Sequence, residues 1–156
     1  MVALKTISIT DDNVKDCIEL EVSPEQESFV AHNAISLAHA YIATKRDRVV
    51  CPYAIYASGT MVGFIMYQYM PAVADDYSCY FLWRFMIDKN HQGKGYGRQA
   101  LAQVLDIIRQ KPHGSADFCA TTYNMENSVA RELYKSFGFI ETDQVEGDEV
   151  SARLPI

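Results

Sequence analysis

The sequence predicts an α/β (α+β) fold of about seven strands and about four helices, arranged β-α-α-β-β-β-α-β-α-β-β within a single domain over residues 1–156. Three observations carry this reading. Short apolar or alternating runs of strand length are interleaved with longer stretches whose apolar residues recur at helical spacing. Glycine and proline punctuate the boundaries between them. A glycine-rich hexapeptide, Gln92-Gly93-Lys94-Gly95-Tyr96-Gly97, joins an apolar strand-like run to an amphipathic helix.

In chain order, Leu4 to Ile9 alternates apolar and polar residues and reads as an edge strand. Asp11 or Asp12 can cap a short helix over Val14 to Glu21. Ser23-Pro24-Glu25-Gln26 reads as a helix start, with Ser23 as cap, Pro24 in the first turn and Gln26 three residues after the cap. That helix is expected to run through Phe29, Val30, Leu37, Tyr41 and Ile42 as its apolar stripe. Pro52 to Ala57 and Met61 to Met70 form a hairpin about Ser58-Gly59. Cys79 to Ile87 is the strand before the glycine loop, and the helix after it buries Leu101, Val104, Leu105 and Ile108. Ala116 to Thr122 is the next strand, and Asn127 to Phe137 a helix stopped by Gly138. Phe139 to Thr142 and Val150 to Leu154 close the sheet as a hairpin.

Composition excludes several classes. Apolar residues at 49% and charged residues at 22% indicate a globular chain, not a disordered one. No apolar run is long enough to span a bilayer, and the N-terminus lacks a signal-peptide pattern, so no membrane partner is expected. Cys17, Cys51, Cys79 and Cys119 are scattered without a CxxC pair, which points to reduced thiols in a cytoplasmic protein. His32 and His39 lack ligand-like neighbours, so no metal is expected. The net charge of −6 argues against a nucleic-acid surface, which needs clustered Lys and Arg.

Three glycines within Gly93–Gly97 let the backbone approach a ligand closely and adopt conformations a β-carbon forbids. Amides converging at a helix N-terminus favour anions. The loop is therefore a phosphate or pyrophosphate cradle. It is not a Walker loop, because Gly95 follows Lys94 where Ser or Thr must ligate magnesium. A Rossmann loop needs its third glycine one place later and an acid ending the next strand; Asp117 opens that strand instead.

Gln92-x-x-Gly95-x-Gly97 between strand and helix resembles the acetyl-CoA loop of the GCN5-related N-acetyltransferases, the GNAT superfamily. Asn127-x-x-Ala130-x-x-Leu133-Tyr134-x-x-x-Gly138-Phe139 resembles that superfamily's C-terminal signature, and it follows at a suitable distance. The resemblance implies a central mixed, mostly antiparallel sheet whose two middle strands splay apart to admit CoA. It implies acetyl-CoA as cosubstrate and direct acyl transfer to an amine. It assigns the loop residues Gln92, Gly93, Lys94, Gly95, Tyr96, Gly97 and Arg98 to the CoA pyrophosphate. Backbone groups of Phe85, Met86 and Ile87 would pair with pantetheine, and Asn127 would contact CoA as well as cap its helix. Tyr134 becomes the general acid that protonates the departing thiolate.

A primary amine with a pKa of about 10.4 is less than roughly 0.1% neutral at pH 7, so its proton must leave. Many members of the family carry a carboxylate near the end of either middle strand. This chain has Trp83, Arg84 and Thr122 there. Acids expected nearer the substrate mouth are Glu25, Glu27, Asp75, Asp76, Glu146, Asp148 and Glu149, with a water relay as the alternative. The segment from Ser23 to Val30, Ala34-x-Ser36-Leu37-Ala38, and Arg84-Phe85-Met86-Ile87-Asp88 resemble bacterial spermine/spermidine (diamine) acetyltransferases. Glu25 and Glu27 are accordingly candidates to face a substrate ammonium, while another amine acceptor or a non-catalytic acyl-CoA sensor remain the competing readings. A homodimer is common in the superfamily this chain resembles, and no distinctive interface segment can be read in this sequence.

Overall fold

The computed structural model describes residues 1–6, 12–73 and 77–156. Seven strands form one sheet: β1 (Val2–Thr6), β2 (Val49–Ala57), β3 (Thr60–Met70), β4 (Cys79–Ile87), β5 (Phe118–Asn124), β6 (Ile140–Glu146) and β7 (Glu149–Pro155). Their spatial order is β1-β2-β3-β4-β5-β7-β6. Every neighbouring pair is antiparallel except β4 and β5, which run parallel at the centre. The β2–β3, β3–β4 and β6–β7 pairs are consecutive in the chain, whereas helices intervene between β1 and β2 and a helix and β6 between β5 and β7, and the parallel pair is bridged by helix α3 (Tyr96–Arg109). The β2–β3 turn places Ser58 and Gly59 at φ of 50° and 81°, the paired positive values that match strand twist in a two-residue hairpin.

Helices cover the two faces. On one, α3 buries Leu101, Val104, Leu105 and Ile108, and α4 (Ser128–Ser136) contributes Tyr134 to the same cluster as Ile65, Tyr80 and Leu82. On the other, Cys17 of α1 (Asn13–Glu19) and Ala40 of α2 (Asn33–Thr44) pack against Phe64, Met66 and Met86. No helix among the described residues is long and apolar enough to cross a membrane.

The sequence reading departs from the structure mainly between Ser23 and Ile42. One long helix was expected. Instead Pro24–Gln26 forms a single 3₁₀ turn, and the chain then runs irregularly until α2 begins at Asn33. Gln26 ties this turn to the glycine loop. Its Oε1 accepts from the Ser23 amide at 3.3 Å, and its side-chain amide also pairs with that of Gln92. The next helix needs a fresh cap, and His32 supplies it, its Nδ1 accepting from the Ala34 amide at 3.1 Å. The buried stripe of α2 is Asn33, Ser36, Ala40 and Ala43, whereas Tyr41 and Ile42 are exposed. Asp12 precedes α1 without a capping side-chain hydrogen bond, and Ile7 to Asp11 lie outside the described residues.

Backbone approach is tightest where β3 meets the end of β4. A β-carbon on Gly63 would lie 2.5 Å from the Met86 carbonyl oxygen and 2.8 Å from Ile87 Cδ1. Gly63→Ala should therefore destabilise the fold by about 1–3 kcal/mol, the usual cost of overpacking, measurable by chemical denaturation.

Candidate active site

The site begins where two strands part. Parallel pairing of β4 with β5 runs from Cys79↔Phe118 to Leu82↔Thr121 and stops there. At the same level the β3 register shifts: Tyr67 faces Leu82 and Met66 faces Arg84, leaving Trp83 as an extra residue. Such a bulge bends the strand that carries it. Trp83–Ile87 therefore stays with β3, while Thr122–Asn124 stays with β7. The β5-facing edge of Phe85, Met86 and Ile87 is left without a strand partner. A cavity of about 490 Å³ fills the gap.

The bulge also reorients side chains. Leu82 and Phe85, three residues apart, both pack against the α3 core. Trp83 and Arg84 consequently both turn toward the opposite face. Trp83 stacks on His39 at 5.8 Å and 9°, and the Arg84 guanidinium stands 5.3 Å from the Trp83 ring.

The glycine loop lies beyond the end of β4. Gly93 and Gly95 have φ of 75° and 78°, and nothing lies within 4 Å of where their β-carbons would be. Gly95 is the N-cap of α3, so the loop delivers its amides to open space at a helix N-terminus. Gly97 faces Ile87 and Phe85 at ordinary contact distance, and Tyr96 begins α3 packed against the main core. Gln92 holds the loop: its Nε2 donates to the Ile87 carbonyl at 3.0 Å and to Gln26 Oε1 at 2.8 Å. Lys94 Nζ donates to the Asn90 carbonyl at 3.2 Å. Arg98 reaches across to α4, donating to Ser136 Oγ at 2.9 Å over the Phe137 ring.

Tyr134 and Asn127 line the cavity from α4 and its cap. Asn127 Oδ1 accepts from the Ala130 amide at 3.2 Å. Asn124 instead accepts from the Glu126 amide. The Tyr134 ring stacks on Tyr123 at 5.5 Å and meets Phe139 edge-on at 5.2 Å. Beside it, the Thr121 hydroxyl donates to the Leu82 carbonyl at 3.2 Å. Burial pushes the phenol well above the ordinary tyrosine range, and the neighbouring Thr121 hydroxyl opposes that only in part. Tyr134 thus keeps its proton at neutral pH.

This geometry, a glycine loop at a helix N-terminus beside a free strand edge and a buried phenol, agrees with the comparison to known proteins. The model of the acetyltransferase (GNAT) family matches residues 14–139. The chain belongs to the GNAT acetyltransferase family. It is 31% identical over 134 residues to the Bacillus subtilis protein called spermine/spermidine N(1)-acetyltransferase, covering 85% of this chain and 84% of that one. The probable spermine N(1)-acetyltransferase of Bacillus subtilis subsp. natto matches to the same extent. Among solved structures, the PaiA N-acetyltransferase of Thermoplasma acidophilum in complex with coenzyme A superposes with a TM-score of 0.71 at 17% identity, covering 100% of this chain and 99% of that one. An acetyltransferase from Thermus thermophilus superposes with a TM-score of 0.74 at 16% identity, covering 99% and 97%. At these identities the structural matches establish the fold.

Glu27 and Glu149 contribute acids to the lining of this acetyltransferase's cavity. Glu25, expected to accompany Glu27, sits on the 3₁₀ turn and does not line the cavity, because successive residues of a tight turn point in different directions. Glu149 is one of the seven candidate acids named from the sequence; its place on β7 brings it to the cavity. A second cavity of about 760 Å³ adjoins the first, sharing Phe81, Thr122 and Glu149 and adding Asp143, Glu146 and Arg153. Asp75 and Asp76 lie outside the described residues. Thr121 and Tyr123 escaped the sequence reading, since a strand residue's partner on a neighbouring helix leaves no local pattern. Among the described residues, no group of three or more His, Cys, Asp or Glu side chains is placed to hold a metal.

Asp88 anchors the connection between β4 and the loop. Its carboxylate is buried and accepts from the Glu21 amide at 3.0 Å, and from the Asn90 amide and side chain at 3.0 and 3.1 Å. Burial alone would raise its pKa, but the Glu21 and Asn90 backbone bonds, with those from His91 and the Asn90 side chain, hold it below the ordinary range. A lowered folded pKa contributes stability above the unfolded value near 3.9, which is lost as pH falls through the folded value. Asp88→Asn should lower the melting temperature at pH 7. The gap to the unaltered protein should persist to about pH 4 and close below it, as melting curves across pH will reveal.

Proposed function

We propose that this acetyltransferase takes acetyl-CoA as donor and transfers the acetyl group directly to a primary amine, with a polyamine such as spermidine or spermine as acceptor. The observation that carries the transfer chemistry is the protonated, buried Tyr134 in the cavity between the parted strands. The loop amides of Gly93 to Arg98 receive the pyrophosphate. The free edge of Phe85, Met86 and Ile87 pairs with the pantetheine amides as a strand would. The acceptor nitrogen attacks the thioester carbon, the C–N bond forms, and the C–S bond breaks. Tyr134 gives its proton to the thiolate and regains one from solvent, and the amine proton leaves to water.

Two observations support a polyamine. Both Bacillus relatives carry spermine in their names. Glu27, Glu149, Glu146 and Asp143 lie along two adjoining cavities, which suits a long cation with spaced ammonium groups. Other primary amines are the second reading, because Arg84 and Arg153 also line these cavities.

Thiol release from acetyl-CoA near pH 8 tests this reading. Saturable turnover with spermidine or spermine is expected, and turnover restricted to other amines would reject the polyamine. Tyr134→Phe should lower kcat by about 10²- to 10⁴-fold while leaving CoA affinity unchanged, measured by calorimetry. Asn127→Ser keeps a capping oxygen but removes the amide. It should weaken CoA binding with little loss of thermal stability, whereas Asn127→Ala should lose both.

A further inference from the structure

Arg84 is a cation where the chemistry needs an uncharged nitrogen. Its side chain lines the cavity beside Trp83 and Phe85, two residues past the last β4–β5 rung. It makes one hydrogen bond, from Nη1 to the Trp83 carbonyl at 2.9 Å. Its Nε is buried without a partner, and among the described residues it belongs to no ion pair. The charged and titratable groups facing the cavity are Glu27 from the segment before α2, Arg84 from β4, Tyr123 from β5, Tyr134 from α4 and Glu149 from β7. Tyr123 donates its hydroxyl hydrogen bond to Glu141 Oε1 at 2.9 Å, and Glu149 acts on Arg84 electrostatically without forming an ion pair. No carboxylate of β4 or β5 lines the cavity to take a proton from the acceptor.

We propose that Arg84 makes the acceptor amine reactive by electrostatics: its fixed charge disfavours the ammonium form of the nitrogen bound beside it. This rests on the amine-acetyltransferase reading above. A positive charge near an amine in a partly dry site lowers that amine's pKa, as a neighbouring cation activates a lysine nucleophile. At an effective dielectric of about 20 and a separation of several ångströms, the shift is about 1–2 pKa units. The same charge favours loss of the nitrogen's remaining extra proton after attack, when the C–N bond has formed. That proton passes to water, while Tyr134 protonates the sulfur. Glu149 and the acids of the adjoining cavity can meanwhile hold the distal ammonium groups of a long acceptor.

The test is the pH dependence of kcat with acetyl-CoA and amine both saturating, since kcat reports groups in the bound complex. The unaltered protein should show a rising limb about 1–2 units below the amine's solution pKa. Arg84→Gln should move that limb upward by about 1 unit or more, with activity recovering at high pH, and Arg84→Lys should leave it in place. An acceptor with pKa near 7, already neutral, should lose little activity in Arg84→Gln at pH 8. A limb at the same pH in both proteins, or an equal loss with strongly and weakly basic amines, would overturn the role of Arg84. If Arg84→Gln does not fold, a limb at the solution pKa in the unaltered protein overturns it equally. Absence of turnover by the unaltered protein with every amine would instead fall on the acceptor reading, and the inference would go with it.

Discussion

The last rung between β4 and β5, Leu82↔Thr121, is the constraint on which the site depends. Below it the central sheet is continuous and its side chains fill the core. Above it the two strands follow different neighbours, β4 with β3 and β5 with β7. One extra residue at Trp83 produces the divergence and spoils strict alternation. The consequences are a free backbone edge, a cavity and an arginine on the acceptor side. The rung is reinforced by the Thr121 hydroxyl, which donates to the Leu82 carbonyl and lines the same cavity as Tyr134.

Two structural pieces then keep the halves of the site in register. The Gln26–Gln92 amide pair joins the 3₁₀ turn beside the acceptor cavity to the glycine loop. Arg98 joins the start of α3 to the end of α4, which carries Tyr134. Glycine loop, cavity wall and phenol are thereby linked by side-chain hydrogen bonds, not by the sheet alone. Burial raises the Tyr134 pKa, so the phenol keeps its proton at neutral pH.

Much of this was legible in the sequence where local patterns were strong. The strand Cys79–Ile87 has the predicted limits, and the glycine loop and Asn127 cap occupy their expected junctions. Each is specified by residues adjacent in the chain. The Gln26–Gln92 pair was not legible, because its partners lie 66 residues apart in the chain. The buried stripe of α2 misled for a related reason: small residues face the sheet with Leu37 packed beside them, and Ile35, Tyr41 and Ile42 face out. Arg84 was visible only as a departure from the family's usual acid. Its meaning depends on a bulge that shifts β4 by one residue, and alternation alone cannot reveal that.

The central claim is that the unpaired edge of β4 and the glycine loop together receive the acyl donor. Amide hydrogen exchange measured residue by residue, with and without acetyl-CoA, tests it most directly. The account predicts new protection within Trp83–Ile87 and Gly93–Arg98, with the β1–β2 hydrogen bonds unchanged. Saturable acetyl-CoA binding that leaves both segments exchanging as before would contradict it.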